Sequence, residues 1–122
     1  MAILEGLFGP QVNNLSRSLK QTSLRHSLVS ENLANVNTPG YKRRDLDFGI
    51  ALETAGEKLK GNRLHGDSQI KVSGGSMRRD GNSVDLESEV TAMAETEFRY
   101  RLMTDMTNRY FSGLRSVIRE GR

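Results

Sequence analysis

Apolar side chains recur at Val12, Leu15, Leu19, Val29, Leu33 and Val36, with Thr22 and His26 completing the alternating steps of three and four. That spacing is a heptad a/d pattern, and it predicts a helix from about residue 11 to residue 36, spanning about 40 Å. A second run of the same period comprises Leu86, Val90, Met93, Glu97, Tyr100, Thr104, Thr107, Phe111, Leu114 and Ile118. It predicts a C-terminal helix. Asp80-Gly81 supplies a turn before it, and Asn82, Ser83 or Asp85 can cap its first amides. Asp85, Glu87 and Glu89 at its start and Arg109, Arg115 and Arg119 toward its end complement the helix dipole.

Between the helices the pattern changes. Residues 49–82 hold seven of the twelve glycines and few large apolar residues. They predict a polar Gly-rich loop or small β segment, with short strands at RLHGDSQIKV. Just before it, Leu46, Phe48 and Ile50 alternate with Asp45, Asp47 and Gly49, the mark of a short strand with one buried face. Residues 1–48 are thus a helix, turn and short extension, and residues 83–122 a C-terminal helix belonging to the same structural domain. The fold class is mainly α.

Both helices carry more apolar surface than one seam uses. With Val12 at position a, Leu24 and Leu28 fall at f and c, away from the seam. On the second helix Ala94, Phe98, Leu102, Met106 and Tyr110 form a separate i, i+4 stripe. The middle segment offers little to cover them, so burial against other copies or other chains is expected. Leu24, Leu28, Phe98, Leu102, Met106 and Tyr110 are the candidate subunit contacts.

NTPGYKRR, from Asn37 to Arg44, reads as a helix stop and a redirection. Pro39 disfavours the helical region for Thr38, so the first helix should end near Asn35 to Asn37. Thr38-Pro39-Gly40-Tyr41 matches a type II turn, with Pro at i+1 and Gly at i+2.

Composition narrows the function classes. Only 35% of the 122 residues are hydrophobic, so the core is modest. There is no cysteine, hence no disulfide or thiolate metal site. His26 in the helical seam and His65 in a Gly-flanked loop stand outside any metal-ligand spacing. No catalytic, cofactor-binding or metal-binding residue is assigned, no small-molecule substrate is implied, and an enzyme is not expected. The N-terminus lacks the cationic and long apolar regions of a cleavable secretory signal, and no run reaches the roughly 20 apolar residues of a membrane span. Net charge is +3, but 18 cations are interspersed with 15 anions. The Arg43-Arg44 and Arg78-Arg79 pairs are too isolated to define a nucleic-acid surface. A helical adaptor or basic nucleic-acid-binding protein is the alternative function.

SENLANVNTPGYKRRDLDF closely resembles the N-terminal signature of the bacterial flagellar axial family, the rod and hook proteins. DGNSVDLESEVTAMAETEFRYRLMT, followed by RYFSGLRSVIREG, is similar to the proximal rod members, as is the short middle segment. The resemblance covers nearly the whole chain apart from residues 55–78. It implies a structural subunit of the torque-transmitting tube that crosses the periplasm, with the two helices paired as an antiparallel coiled coil. It also implies export by the flagellar type III apparatus without a cleavable signal. The partners would be copies of the chain and other rod proteins of the FlgC type. At the base would lie the adaptor FliE, the export gate and the membrane ring.

For such a pair the intramolecular seam would comprise Val12, Leu15, Leu19, Val29, Leu33, Val36, Val90, Met93, Tyr100, Phe111, Leu114 and Ile118. Two registers fit. Setting Val36 against Leu86 puts Leu15 opposite Thr107, Leu19 opposite Thr104 and Thr22 opposite Tyr100. Sliding by one heptad sets Val12 against Ile118, Leu15 against Leu114, Leu19 against Phe111 and Val29 against Tyr100, with only Leu33 and Glu97 mismatched. A polar group desolvated without a partner costs about 1–3 kcal/mol, so the second register is expected.

Overall fold

The computed structural model describes residues 2–46, 70–72 and 76–121, with side chains from residue 9 onward. Helix α1 runs Ala2–Ala34 and is interrupted at Gly9, whose φ of 65° and ψ of 174° leave the helical region. Glycine adopts that positive φ without the Cβ clash other residues meet. Pro10 follows at the start of the long stretch, where its missing N–H breaks no helical bond. The expected start near residue 11 is therefore this joint, and the helical turns before it were too short to show a period. At the other end Val36 N–H bonds Leu33 O at 3.3 Å, so a tight final turn carries the chain beyond Ala34.

Strand β1, Arg44–Leu46, pairs antiparallel with β2, Ile70–Val72, Arg44 opposite Val72 and Leu46 opposite Ile70. Leu46 is buried, whereas all of β2 is exposed. Phe48 and Ile50, the other expected members of the strand, lie outside the described residues, as does most of the Gly-rich segment. Helix α2 runs Leu86–Glu120, with Asp85 as its N-cap: Asp85 Oδ1 accepts from Glu87 N–H at 3.1 Å. The protein is thus two long helices packed on each other, with β1 against α1.

The helices pair antiparallel, but in the other register. Asn32 bonds Glu89, Arg25 pairs with Glu95, and Leu15 and Leu19 share a groove with Thr107 and Phe111. This is the pairing with Leu15 level with Thr107, not Leu114. The desolvation penalty assigned to its mixed layers does not arise, because the threonines serve their own helices. Thr22 donates to Ser18 O at 2.7 Å, Thr96 to Ala92 O at 2.6 Å, Thr104 to Tyr100 O at 2.9 Å and Thr107 to Met103 O at 2.8 Å. A hydroxyl satisfied by the carbonyl four residues back packs as a small, nearly apolar side chain.

Helix α2 is also rotated from the expected face. Glu89, Ala92 and Thr96 are its buried residues, each one position before Val90, Met93 and Glu97 of the heptad stripe. Val90, Tyr100, Phe111 and Ile118 are consequently exposed, against expectation, and His26 is exposed rather than in the seam. Val29 is buried, while Val12, Leu15, Leu19, Leu33, Val36, Met93 and Leu114 are half-buried. Leu28, expected on an outer face, is only 3% exposed and belongs to the core with Val29, Leu46, Val84 and Ala92. The reason is the chain after the turn, which returns along α1 as β1 and adds a second buried face to the helix.

Candidate functional site

The two stretches that carry the resemblance meet in space. The turn forms as its residues dictate: Gly40 has a φ of 72°, and Tyr41 N–H bonds Thr38 O at 3.3 Å. Only a residue tolerant of positive φ fits the third turn position. Asn35 supports the turn from the helix end, its Oδ1 accepting from Thr38 Oγ1 at 3.2 Å, while Asn37, Thr38 and Pro39 are exposed.

The segment before α2 lies directly on this turn. Asn82 is wholly buried, and its amide nitrogen lies within hydrogen-bond distance of the carbonyls of Asn35, Val36 and Thr38, at 3.0, 3.1 and 2.8 Å. Its Oδ1 accepts from Val84 N–H at 2.7 Å. The carbonyls freed at a helix C-terminus need donors, and Asn82 supplies them from the far end of the chain. Around it Gly40 N–H bonds Asp80 O, Ser83 N–H bonds Tyr41 O, and Arg43 N–H bonds Ser83 Oγ. Arg78 adds a bond to Val36 O.

Beneath the turn sits a second buried amide. Asn32 pairs with Arg44 as a neighbouring strand would: its Oδ1 accepts from Arg44 N–H at 3.0 Å and its Nδ2 donates to Arg44 O at 2.7 Å. The same Oδ1 accepts from Tyr41 O–H at 3.3 Å, and the same Nδ2 donates to Glu89 Oε2 at 3.2 Å. The amide's capacity is filled. Glu89 is wholly buried and takes the Arg43 guanidinium on its other oxygen. Arg43 continues to Asp45 at 2.9 Å, Asp45 to Arg25 at 3.2 Å, and Arg25 to Glu95 at 3.6 Å. Four charged links thus run from α2 through β1 to α1 and back.

Electrostatics follow this chain of contacts. Burial acts to lower the pKa of Arg43, but its bonds to Glu89 and Asp45 outweigh that and raise it above the ordinary arginine value. Burial acts to raise the pKa of Asp45, and the Leu46 amide with Arg43 and Arg25 overcomes it, holding the carboxyl below its ordinary value. Every buried side-chain nitrogen and oxygen among the described residues has a partner.

The turn residues are therefore where the sequence places them. Asn32 and Arg25 are not marked by the sequence pattern, and Asn82 and Glu89, expected as a cap and a dipole charge at the start of the second helix, serve the end of α1 and the buried joint instead, because buried polar residues leave no trace in an apolar period. Their one signal was position, since Asn32, Asn82 and Glu89 all lie inside the two family-like stretches. Of the candidate subunit contacts, Leu24, Phe98, Leu102 and Met106 are exposed, Phe98 at 69%. Tyr110 is half-buried and stacks edge-on with Phe111 at 5.7 Å between centroids. Leu28 is lost from the set.

Five of the cations that the alternative function would use are engaged within the chain: Arg43 with Glu89 and Asp45, Arg44 with Glu31, Arg78 with Asp80, Arg99 with Glu95 and Arg101 with Glu97. A helix pair pinned by such a junction, with an apolar stripe left open, defines an assembly subunit. The comparisons agree. The model of the family described as Flagella basal body rod protein matches residues 13–42, ending inside the turn motif. The flagellar basal body rod protein FlgB of Borreliella burgdorferi is 32% identical, over 92% of this chain and 98% of the relative. The FlgB of Bacillus subtilis is 28% identical, over 95% and 98%. That of Salmonella typhimurium is 27% identical, over 85% and 89%. The chain belongs to the FlgB family of flagellar basal body rod proteins.

Proposed function

We propose that the chain is a non-enzymatic structural subunit of the proximal rod, polymerising with copies of itself and with other rod proteins into the tube that transmits torque across the periplasm. The observation that carries this is the division of labour between surfaces. The junction satisfies the polar groups of the helix pair internally, whereas Phe98, Leu102 and Met106 on α2 and Leu24 on α1 stay exposed. Apolar side chains in a row on a long helix are burial reserved for neighbours. Those neighbours are FlgC-type rod proteins, with the adaptor FliE, the export gate and the membrane ring at the base. The chain reaches them through the flagellar type III apparatus.

The test is a map of basal bodies purified from cells that carry a tagged copy of the chain. The tag is expected at the membrane-proximal end of the rod. Its absence from the rod, or its recovery on a distal segment, would overturn the assignment.

A further inference from the structure

In the observed register Leu15 shares a groove with Thr107, and Tyr100, Phe111 and Ile118 remain 47%, 40% and 71% exposed. One heptad away, with α2 also turned back onto its heptad stripe, Val12, Leu15, Leu19 and Val29 would instead meet Ile118, Leu114, Phe111 and Tyr100. Apolar burial along the seam favours the register the protein does not use. That unused register lacks the junction. A heptad of helix is about 10 Å long, so the slide takes Glu89 away from Asn32 and Arg43, and Asn82 away from the carbonyls that end α1.

We propose that the buried polar junction of Asn32, Arg43, Asn82 and Glu89 selects the register of the helix pair against the preference of its apolar seam. Opening the junction lets α2 slide one heptad along α1 into a second packed position. The heptad period allows that second position and excludes those between, because only whole heptads bring seam residues back face to face. The junction decides between the two because its buried groups lose their partners in any other register, and an unpartnered buried charge or amide is strongly unfavourable. The same residues hold β1 to α1, so opening them also frees the chain that would otherwise tether α2.

The chain contains no cysteine, so paired cysteines report register without background. Leu15→Cys with Thr107→Cys reports the observed register, and Leu15→Cys with Leu114→Cys the slid one. In the full-length protein the first pair is expected to form its disulfide roughly tenfold faster than the second. Adding Asn82→Ala with Glu89→Leu should reverse that ratio. Glu97→Leu removes the single mismatch of the slid register at an exposed position, and with the junction intact it should leave the ratio unchanged. The proposal fails if the first pair keeps its advantage in the Asn82→Ala, Glu89→Leu background, or if Glu97→Leu alone reverses it. It fails equally if the junction variant loses its helical circular dichroism, since the junction would then be required for folding rather than for choice of register.

Discussion

Asn32 donates to the carboxylate of Glu89 at 3.2 Å, and neither side chain has any surface exposed to water. One residue comes from the stretch before the turn and the other from the first turns of α2. The two halves of the family resemblance are therefore the two sides of one hydrogen-bonded joint.

Truncating Asn82 should weaken that joint more than any exposed polar change. Asn82→Ala leaves the carbonyls of Asn35, Val36 and Thr38 with one donor fewer and removes the acceptor for Val84 N–H. The expected loss is about 1–3 kcal/mol in denaturant unfolding of the full chain. Ser112→Ala, at an exposed site on α2, should stay within about 0.5 kcal/mol of the parent. Equal effects of the two would deny the amide its capping role.

The turn makes a second comparison. Gly40 holds a φ of 72°, and although a Cβ there would meet no atom within 4 Å, a β-branched side chain resists that backbone. Gly40→Val is expected to lower stability by about 1–2 kcal/mol. Tyr41→Phe removes one 3.3 Å bond to Asn32, whose oxygen keeps the Arg44 amide, and should lower it by less than about 1 kcal/mol. Thermal unfolding of both variants measures the difference, and the reverse order would count against the turn.

Leu28 and Leu102 separate folding from assembly. Leu28 is core, so Leu28→Ala should cost about 2–5 kcal/mol and lower the melting temperature of the isolated chain. Leu102 is 46% exposed on the open stripe, so Leu102→Asp should leave the melt nearly unchanged while abolishing rod assembly and swimming. Normal motility with Leu102→Asp would remove the stripe from the subunit interface.

Acid should loosen the joint through Asp45. Its pKa is lower folded than unfolded, so the unfolded chain takes up the proton first and stability rises with pH across that interval. The contribution is complete above the unfolded value of about 4 and disappears as pH falls through the lowered folded value. Asp45→Asn should therefore flatten the acid limb of a plot of melting temperature against pH below about 5, and leave its shape at neutral pH unaltered. An unchanged acid limb would show that the ion pairs to Arg43 and Arg25 do not form in solution.

Protection from hydrogen exchange should be graded along the pair. The buried residues of both helices, Thr22 to Asn32 on α1 and Glu89 to Thr96 on α2, lie toward the junction, whereas residues 115–120 are exposed throughout. Amides of residues 28–34 and 89–96 are expected to exchange more slowly than those of residues 10–16 and 108–120. Uniform protection from end to end would mean that burial along the seam, not the junction, holds the helices together.

Local chemistry made much of this protein legible in its sequence. The heptad runs announced two long helices, Pro39 and Gly40 announced the type II turn, and the charges of Asp85, Glu87 and Glu89 marked the start of α2, because each acts on backbone within a few residues of itself. Register, helix rotation and the fate of Leu28 were decided by contacts between segments far apart in the chain. Thr22, Thr104 and Thr107 look like flaws in an apolar seam until their hydroxyls are seen to bond the preceding turn of their own helices. Glu89 looks like a solvated helix-start charge until Arg43 and Asn32 close over it. An apolar period reports which residues avoid water, but a buried polar group reveals itself only through its partner, and the partners of Asn32, Asn82 and Glu89 are brought to them by the fold.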